Sequence, residues 1–223
     1  MRTGKNEDNI FKQFVYNEEL SFSELFHKTK IDSNLLAYFL KKMLNQGTLQ
    51  KTKSKKYTLT TKGERLIPFY TEQESLNPLV VILLAIVKDE NILLTQREKR
   101  PYKGFWSLVS GRMLLDEGIG ESAERIFEKK LVAKGKFRKI NAVVHERFIE
   151  KESKHTFVFF FVEVEPLEKT REHSGLKWFP LNRIPKSKTI ASDYWLIKNK
   201  LDSNVEVVEE ILESKGKKMK LKN

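Results

Sequence analysis

Apolar positions along the chain fall into three regimes of spacing. Over residues 8–67 they recur at helical intervals: Ile10, Phe11, Phe14 and Val15 share one face, and Leu35, Leu36, Phe39, Leu40, Met43 and Leu44 form a second stripe. Between them, Ser21 followed three residues later by Glu24 has the form of a capping box and predicts a helix carrying Leu25 and Phe26. Asp32 or Ser33 is placed to cap the third helix, and Gly47 to end it in a left-handed conformation. Residues 48–53 and 56–60 read as two strands about Ser54-Lys55, and Thr61 with Glu64 forms another capping box before Leu66 and Ile67. Residues 71–77 are polar, precede Pro78 and read as a linker. Beyond Pro78 the regime changes. Residues 79–87 are an unbroken apolar run, a buried strand; Asp89-Glu90-Asn91 is a turn; residues 92–97 are a second strand. Residues 142–148 and 156–164 predict two long strands, and 191–201 a helix. In the third regime Val205, Val208, Ile211 and Leu212 fall on one face of a helix expected over 204–214, followed by a solvated basic tail. The expected organisation is residues 1–70, a linker at 71–77, a second domain over 78–202, and a helix and tail over 203–223.

Composition narrows the function classes. The 223 residues contain no cysteine, which excludes disulfides, thiolate metal sites and a cysteine nucleophile. The longest apolar run falls far short of the ~20 residues of a membrane helix, and the N-terminus does not read as a signal peptide. The expectation is a cytoplasmic protein without membrane contact. The formal net charge is +12. Residues 1–70 hold thirteen Lys/Arg against seven Asp/Glu, so half of the excess lies in the first third of the chain. A basic balance points to a polyanionic partner.

Helix, helix, helix, hairpin is the order of a winged helix-turn-helix, and residues 57–67 resemble the wing-to-helix passage of prokaryotic winged-helix regulators. That resemblance implies duplex DNA as partner. The third helix would enter the major groove with Ser33, Asn34, Tyr38, Lys41 and Lys42, and the hairpin lysines Lys51, Lys53, Lys55 and Lys56 would meet phosphates. Palindromic operators are read by symmetric dimers, so a homodimer is expected, through the 204–214 helix or the sheets of the second domain.

In the second domain, residues 93–97 (Leu-Leu-Thr-Gln-Arg) and then Gly104-Phe105-Trp106-Ser-Leu108-Val-Ser-Gly111-Arg112 resemble the Nudix hydrolase family. Trp178-Phe179-Pro180-Leu181 and Ile184-Pro185 match its late strand and loop. The resemblance implies an α/β/α sandwich about a mixed sheet, an α/β (α+β) fold class overall. It also implies a box in which Gly111, Glu117 and Arg125 stand at the family's spacing. The box then departs: the family's metal-binding glutamates are replaced by Ile126, Lys129 and Lys130, and the closing glycine by Val132. Carboxylates on one helix face would hold the Mg²⁺ or Mn²⁺ that activates water on a diphosphate. Here one position has no ligand atom and two carry like charge. Glu124 and Glu128 lie about 200° around the helix from the lost site. Residual acids are Glu117, Glu121 and Glu146. His145, His155 and His173 show no metal-ligand spacing.

The lysines suggest metal-free binding of a nucleotide or nucleoside diphosphate derivative instead. Arg97, Arg112, Lys129 and Lys130 would receive phosphates, and Trp106, Phe159, Phe161 or Trp178 would stack on a base. The expectation is a DNA-binding transcription regulator with a non-catalytic Nudix-like sensor, with no cofactor. The alternative is a divergent Nudix hydrolase using Mg²⁺ or Mn²⁺.

Overall fold

The computed structural model describes residues 5–67, 78–98, 102–149, 153–168, 170, 175–215 and 218–222. The linker expected at 71–77 lies outside the described residues. The chain divides into two compact units, Met1–Leu76 and Asn77–Asn223.

The first unit holds α1 (Lys5–Val15), α2 (Phe22–Thr29), α3 (Ser33–Asn45), the antiparallel hairpin β1 (Leu49–Lys51) and β2 (Tyr57–Leu59), and one helical turn, α4 (Thr61–Glu64). The helices start where side chains supply acceptors for unpaired amides. The Ser21 hydroxyl accepts from the Glu24 amide while the Glu24 carboxylate accepts from the Ser21 amide. The Asp32 carboxylate accepts from Asn34 and Leu35. Gly47 ends α3 at φ +68°. The cap of α4 is Thr60, one residue before the expected Thr61: Thr60 is extended and its hydroxyl accepts from Gly63, which leaves Thr61 inside the helix. Ile10, Phe11, Phe14, Leu25, Leu36, Leu40 and Met43 fill the core, whereas Leu35 stands exposed.

The second unit is a seven-stranded mixed sheet between two helices. Its strands are β3 (Leu79–Ala85), β4 (Val87–Lys88), β5 (Asn91–Gln96), β6 (Trp106–Arg112), β7 (Gly135–Ile149), β8 (Ser153–Pro166) and β9 (Leu176–Pro180). The order is β4-β5-β6-β3-β8-β7, with β9 paired to β5. β3 and β8 run parallel; the other pairs are antiparallel. α5 (Ile119–Leu131) packs on the face made by Ile82, Leu84, Val109 and Val162. α6 (Ala191–Lys200) packs on the opposite face with Leu83, Ala85, Leu108 and Phe161. A strand covered on both sides needs apolar residues at successive positions, which accounts for the unbroken run in β3. No helix among the described residues is long and apolar enough to cross a membrane.

The helix expected at 204–214 does not form. Residues 203–210 have no regular structure, and β10 (Ile211–Lys215) pairs antiparallel with β11 (Lys218–Lys222) in place of a solvated tail. Tertiary partners override the helical period here. The Val205 amide donates to the Ile140 carbonyl at the edge of β7 (2.8 Å), Val207 packs on the core under α5, and the Glu209 carboxylate accepts from the Ile119 amide at the start of α5 (2.8 Å). The β-branched valines of this segment also suit extended backbone.

α5 ends in a left-handed residue, Val132 (φ 51°, ψ 41°), which is 91% exposed. A β-branched side chain is strained there, and glycine is not. Val132→Gly should therefore stabilise the second unit by about 1 kcal/mol, a rise of roughly 2–4 °C in melting temperature. Thermal denaturation of the two proteins measures it.

Candidate functional site

The centre of the second unit is the passage from β6 through residues 113–118 into α5. Arg125, one and a half turns into the helix, reaches back to this loop. Its guanidinium grips both oxygens of Glu117, through a close Nε–Oε1 contact and an Nη2–Oε2 bond of 2.9 Å, and donates to the Arg112 carbonyl (2.9 Å). Ser122 donates to the same carboxylate at 2.7 Å. The Arg125 bond first and the Ser122 bond second hold the Glu117 carboxyl below the usual carboxylate range. Glu117 is thus a brace of the loop.

Two other acids of α5 are also engaged. Glu121 accepts from the Gly118 amide (3.0 Å) and Glu124 from the Phe137 amide (3.0 Å), while Glu128 is exposed. Ile126 is 2% exposed and seats on Gly111: a Cβ added to that glycine would stand 2.7 Å from Ile126 Cγ1. The space beside the strand is filled by hydrocarbon. Lys129 and Lys130 are exposed one turn further on. Among the described residues no group of three or more His, Cys, Asp or Glu stands together to hold a metal. The donor set at this helix therefore does not fit a hard dication, which requires several oxygen ligands.

The residues expected to bind a nucleotide do not converge. Gln96 pairs with Trp106 at the start of β6, and Arg112 ends the same strand six residues later, about 20 Å away at strand rise. Arg97 and Trp106 thus belong to one end of the sheet, and Arg112, tied to α5 through Arg125, to the other. Phe161 is fully buried in the α6 face, which corrects its expected stacking role: that position of β8 packs under α6. Trp106 is half-buried, edge-on to Phe179 at 4.9 Å between ring centres. Arg97 borders a groove of about 340 Å³ shared with Gln96, Glu98, Lys103, Gly104 and Gly175.

A second constellation escapes a reading of motifs. Asp193, in the first turn of α6, is 5% exposed, and its Oδ2 accepts from the Leu108 amide at 2.8 Å. Burial pushes its carboxyl up to about 7; the Leu108 bond opposes this, nearby Glu146 adds to it, and Arg97 opposes it. Burial likewise raises Tyr102, with a further push from Glu146. On β7, Glu146 alternates with Ala142 and Val144, which pack on the α6 face, and so shares the side of the sheet that buries Asp193. The available signal was a lone acid in an otherwise basic terminal helix.

In the first unit, Ser33, Asn34, Tyr38 and Lys41 are exposed on α3, and Lys51, Lys53 and Lys55 on the hairpin; Lys56 is half-buried. Lys51 lies over the Tyr57 ring at 5.5 Å. Lys42 departs from the expected role. Its ammonium pairs with the buried carboxylate of Glu7 at 3.1 Å, so it joins α3 to α1. A buried carboxylate demands a counter-charge, and Lys42 supplies it.

A model of the NUDIX domain matches residues 77–199. No curated protein matches the chain. Among solved structures, the chain is similar to a NUDIX hydrolase from Nitrosomonas europaea, at 18% identity over 68% of this chain and 85% of that one, with a TM-score of 0.46. It is also similar to a MutT NUDIX hydrolase from Burkholderia pseudomallei, at 22% identity over 56% and 99%, with a TM-score of 0.48. A UDP-X diphosphatase aligns at 14% identity over 88% of this chain and 92% of its own, with a TM-score of 0.44.

The protonation of Asp193 has a measurable consequence. Its folded pKa, about 7, lies above the unfolded value of 3.8. The contribution to stability is full below about pH 4 and is lost as pH rises through 7. Asn in its place would still accept from Leu108 and would not ionise. Asp193→Asn should match the parent in melting temperature near pH 4, draw ahead as pH rises towards 7, and exceed it by several degrees at pH 8; equal pH profiles would contradict the assignment.

Proposed function

The chain belongs to the NUDIX domain family, and from that premise we propose that it is a cytoplasmic, DNA-binding transcription regulator whose NUDIX unit has a degenerate box and binds a nucleotide without hydrolysing it. The observation that carries the non-catalytic half is Ile126 packed on Gly111 with Lys129 and Lys130 beyond it. A carboxylate is replaced by hydrocarbon, and two more by cations that oppose a dication and favour a phosphate. The DNA-binding half rests on the order α1, α2, α3, hairpin, α4, read as a winged helix-turn-helix, and on the exposed Lys51, Lys53 and Lys55. A homodimer follows as the form suited to a two-fold operator.

A second reading has one observation in its favour. Glu146 shares the α6 side of the sheet with the buried Asp193, Arg97 borders a groove, and Glu146 and Arg97 both act on the Asp193 carboxyl; a divergent NUDIX hydrolase acting on a nucleoside diphosphate derivative would use acids of this kind.

Two measurements separate these readings. Neither Mg²⁺ nor Mn²⁺ should raise the melting temperature at constant ionic strength, and nucleoside diphosphate compounds should release no phosphate. Metal-dependent turnover lost in Glu146→Gln would establish the hydrolase instead. Duplex DNA should bind at low salt. The combined Lys53→Gln, Lys55→Gln and Lys56→Gln protein should lose about 0.9 from the slope of log K against log salt for each phosphate contact removed. An unchanged slope would rule out the hairpin as the contact.

A further inference from the structure

The closing part of the NUDIX unit carries a surface that neither reading uses. From Lys177 to Lys200 the chain holds six cations, Lys177, Arg183, Lys186, Lys188, Lys198 and Lys200, against one acid, Asp193, which is buried. Exposed acids flank the stretch: Asp202 past the end of α6, and Glu90 in the turn whose carbonyl receives the Leu181 amide. α6 buries Asp193, Leu196 and Ile197 against the sheet, which turns Trp195, Lys198 and Asn199 outward.

The cations are set against aromatic rings. Lys186, from the short 3-10 turn Lys186–Lys188, and Lys198, from α6, each place an ammonium 6.0 Å from the centre of the Tyr194 ring. Lys200 stands 6.0 Å from the Trp195 ring, and Trp195 is 50% exposed. An indole left half in water within a field of positive charge is a platform for a planar group that arrives with anions attached.

We propose that the outer face of α6, with the 3-10 turn before it, binds single-stranded nucleic acid: Trp195 stacks on an unpaired base while Lys186, Lys188 and Lys200 meet the adjoining phosphates. In a duplex the base faces are covered by their neighbours, so Trp195 would find only edges and backbone. A membrane surface fits poorly, because an interfacial helix needs a broad apolar face outward, and here Leu196 and Ile197 point into the protein. This surface goes beyond the duplex contact proposed for the first unit, and its residues are separate from those of that contact.

The test uses the full chain and a labelled oligothymidylate of about twelve nucleotides, within the range of site sizes for such surfaces. Binding at low salt with quenching of tryptophan fluorescence is expected. Trp195→Ala should weaken it roughly tenfold or more and abolish most of the quenching. The combined Lys186→Gln, Lys188→Gln and Lys200→Gln protein should lose about 2 from the slope of log K against log salt, at about 0.7 per phosphate on a single strand. Lys186, Lys188 and Trp195 are exposed and Lys200 is half-buried, and unchanged melting temperatures verify the fold; if Trp195→Ala melts early, the lysine protein alone decides. The inference is overturned by absence of binding at low salt, or by full affinity and slope in both proteins. It also fails if binding is lost in the Lys53, Lys55, Lys56 protein and kept in these, which places the strand on the first unit. Binding to phosphatidylserine vesicles that depends on Trp195, without oligonucleotide binding, would assign the face to membrane and likewise overturn it.

Discussion

How α5 lies on the sheet depends on one contact, Ile126 on Gly111. The strand offers no side chain at that point, so the helix approaches until the isoleucine touches backbone, and any added Cβ would force it away. Everything near the site follows from this depth. Phe127 is brought against Gly135 and Val164, Gly120 passes beneath Phe137, and Arg125 is held within reach of both Glu117 and the Arg112 carbonyl. The same approach removes the space in which an ion could sit beside the strand. Packing of this helix and the chemistry proposed for it are one arrangement.

The parts of the fold that were legible in the sequence are those fixed locally. Ser21 with Glu24 and Asp32 before α3 act within three residues of themselves, so spacing alone reveals them. The double-faced burial of β3 was legible because an apolar run too short for a membrane has few other uses. What was not legible depended on partners distant in sequence. Lys42 looks like a recognition-helix cation until Glu7, 35 residues away, is placed beside it. Val205, Val208, Ile211 and Leu212 have helical spacing, yet the segment runs extended because Ile140 and the free amide of Ile119 lie along its path. Arg97 and Arg112 both looked like phosphate ligands, and only the strand register shows that β6 separates them. Asp193 had no motif to mark it; its significance is its burial.

Charge in the two units is arranged by different physical needs. In the first, the buried Glu7 fixes one lysine, and the hairpin lysines remain at the surface. In the second, acids are spent as acceptors for amides that would otherwise be unpaired: Glu121 at Gly118, Glu209 at Ile119, Glu124 at Phe137 and Asp193 at Leu108. Glu121, Glu124 and Glu209 stay exposed while they accept, and Asp193 alone is taken out of solvent, which leaves the cations around it on α6 without an acid of their own element at the surface.

That distribution bears on the degenerate box proposed above, in which lysines stand where the family's motif has glutamates. The last turn of a helix carries partial negative charge, and acidic side chains there repel the helix terminus. A bound dication offsets that repulsion. On the proposed reading, with Ile126 filling the place beside Gly111, no ion offsets it, and glutamates at 129 and 130 would burden the helix with nothing in return. Lysines reverse the sign of the terminus interaction and match the acid at the other end, Glu121 in the first turn. On that proposal the isoleucine and the two lysines form a coherent set: the first removes the reason for the acids, and the others make α5 stable without them.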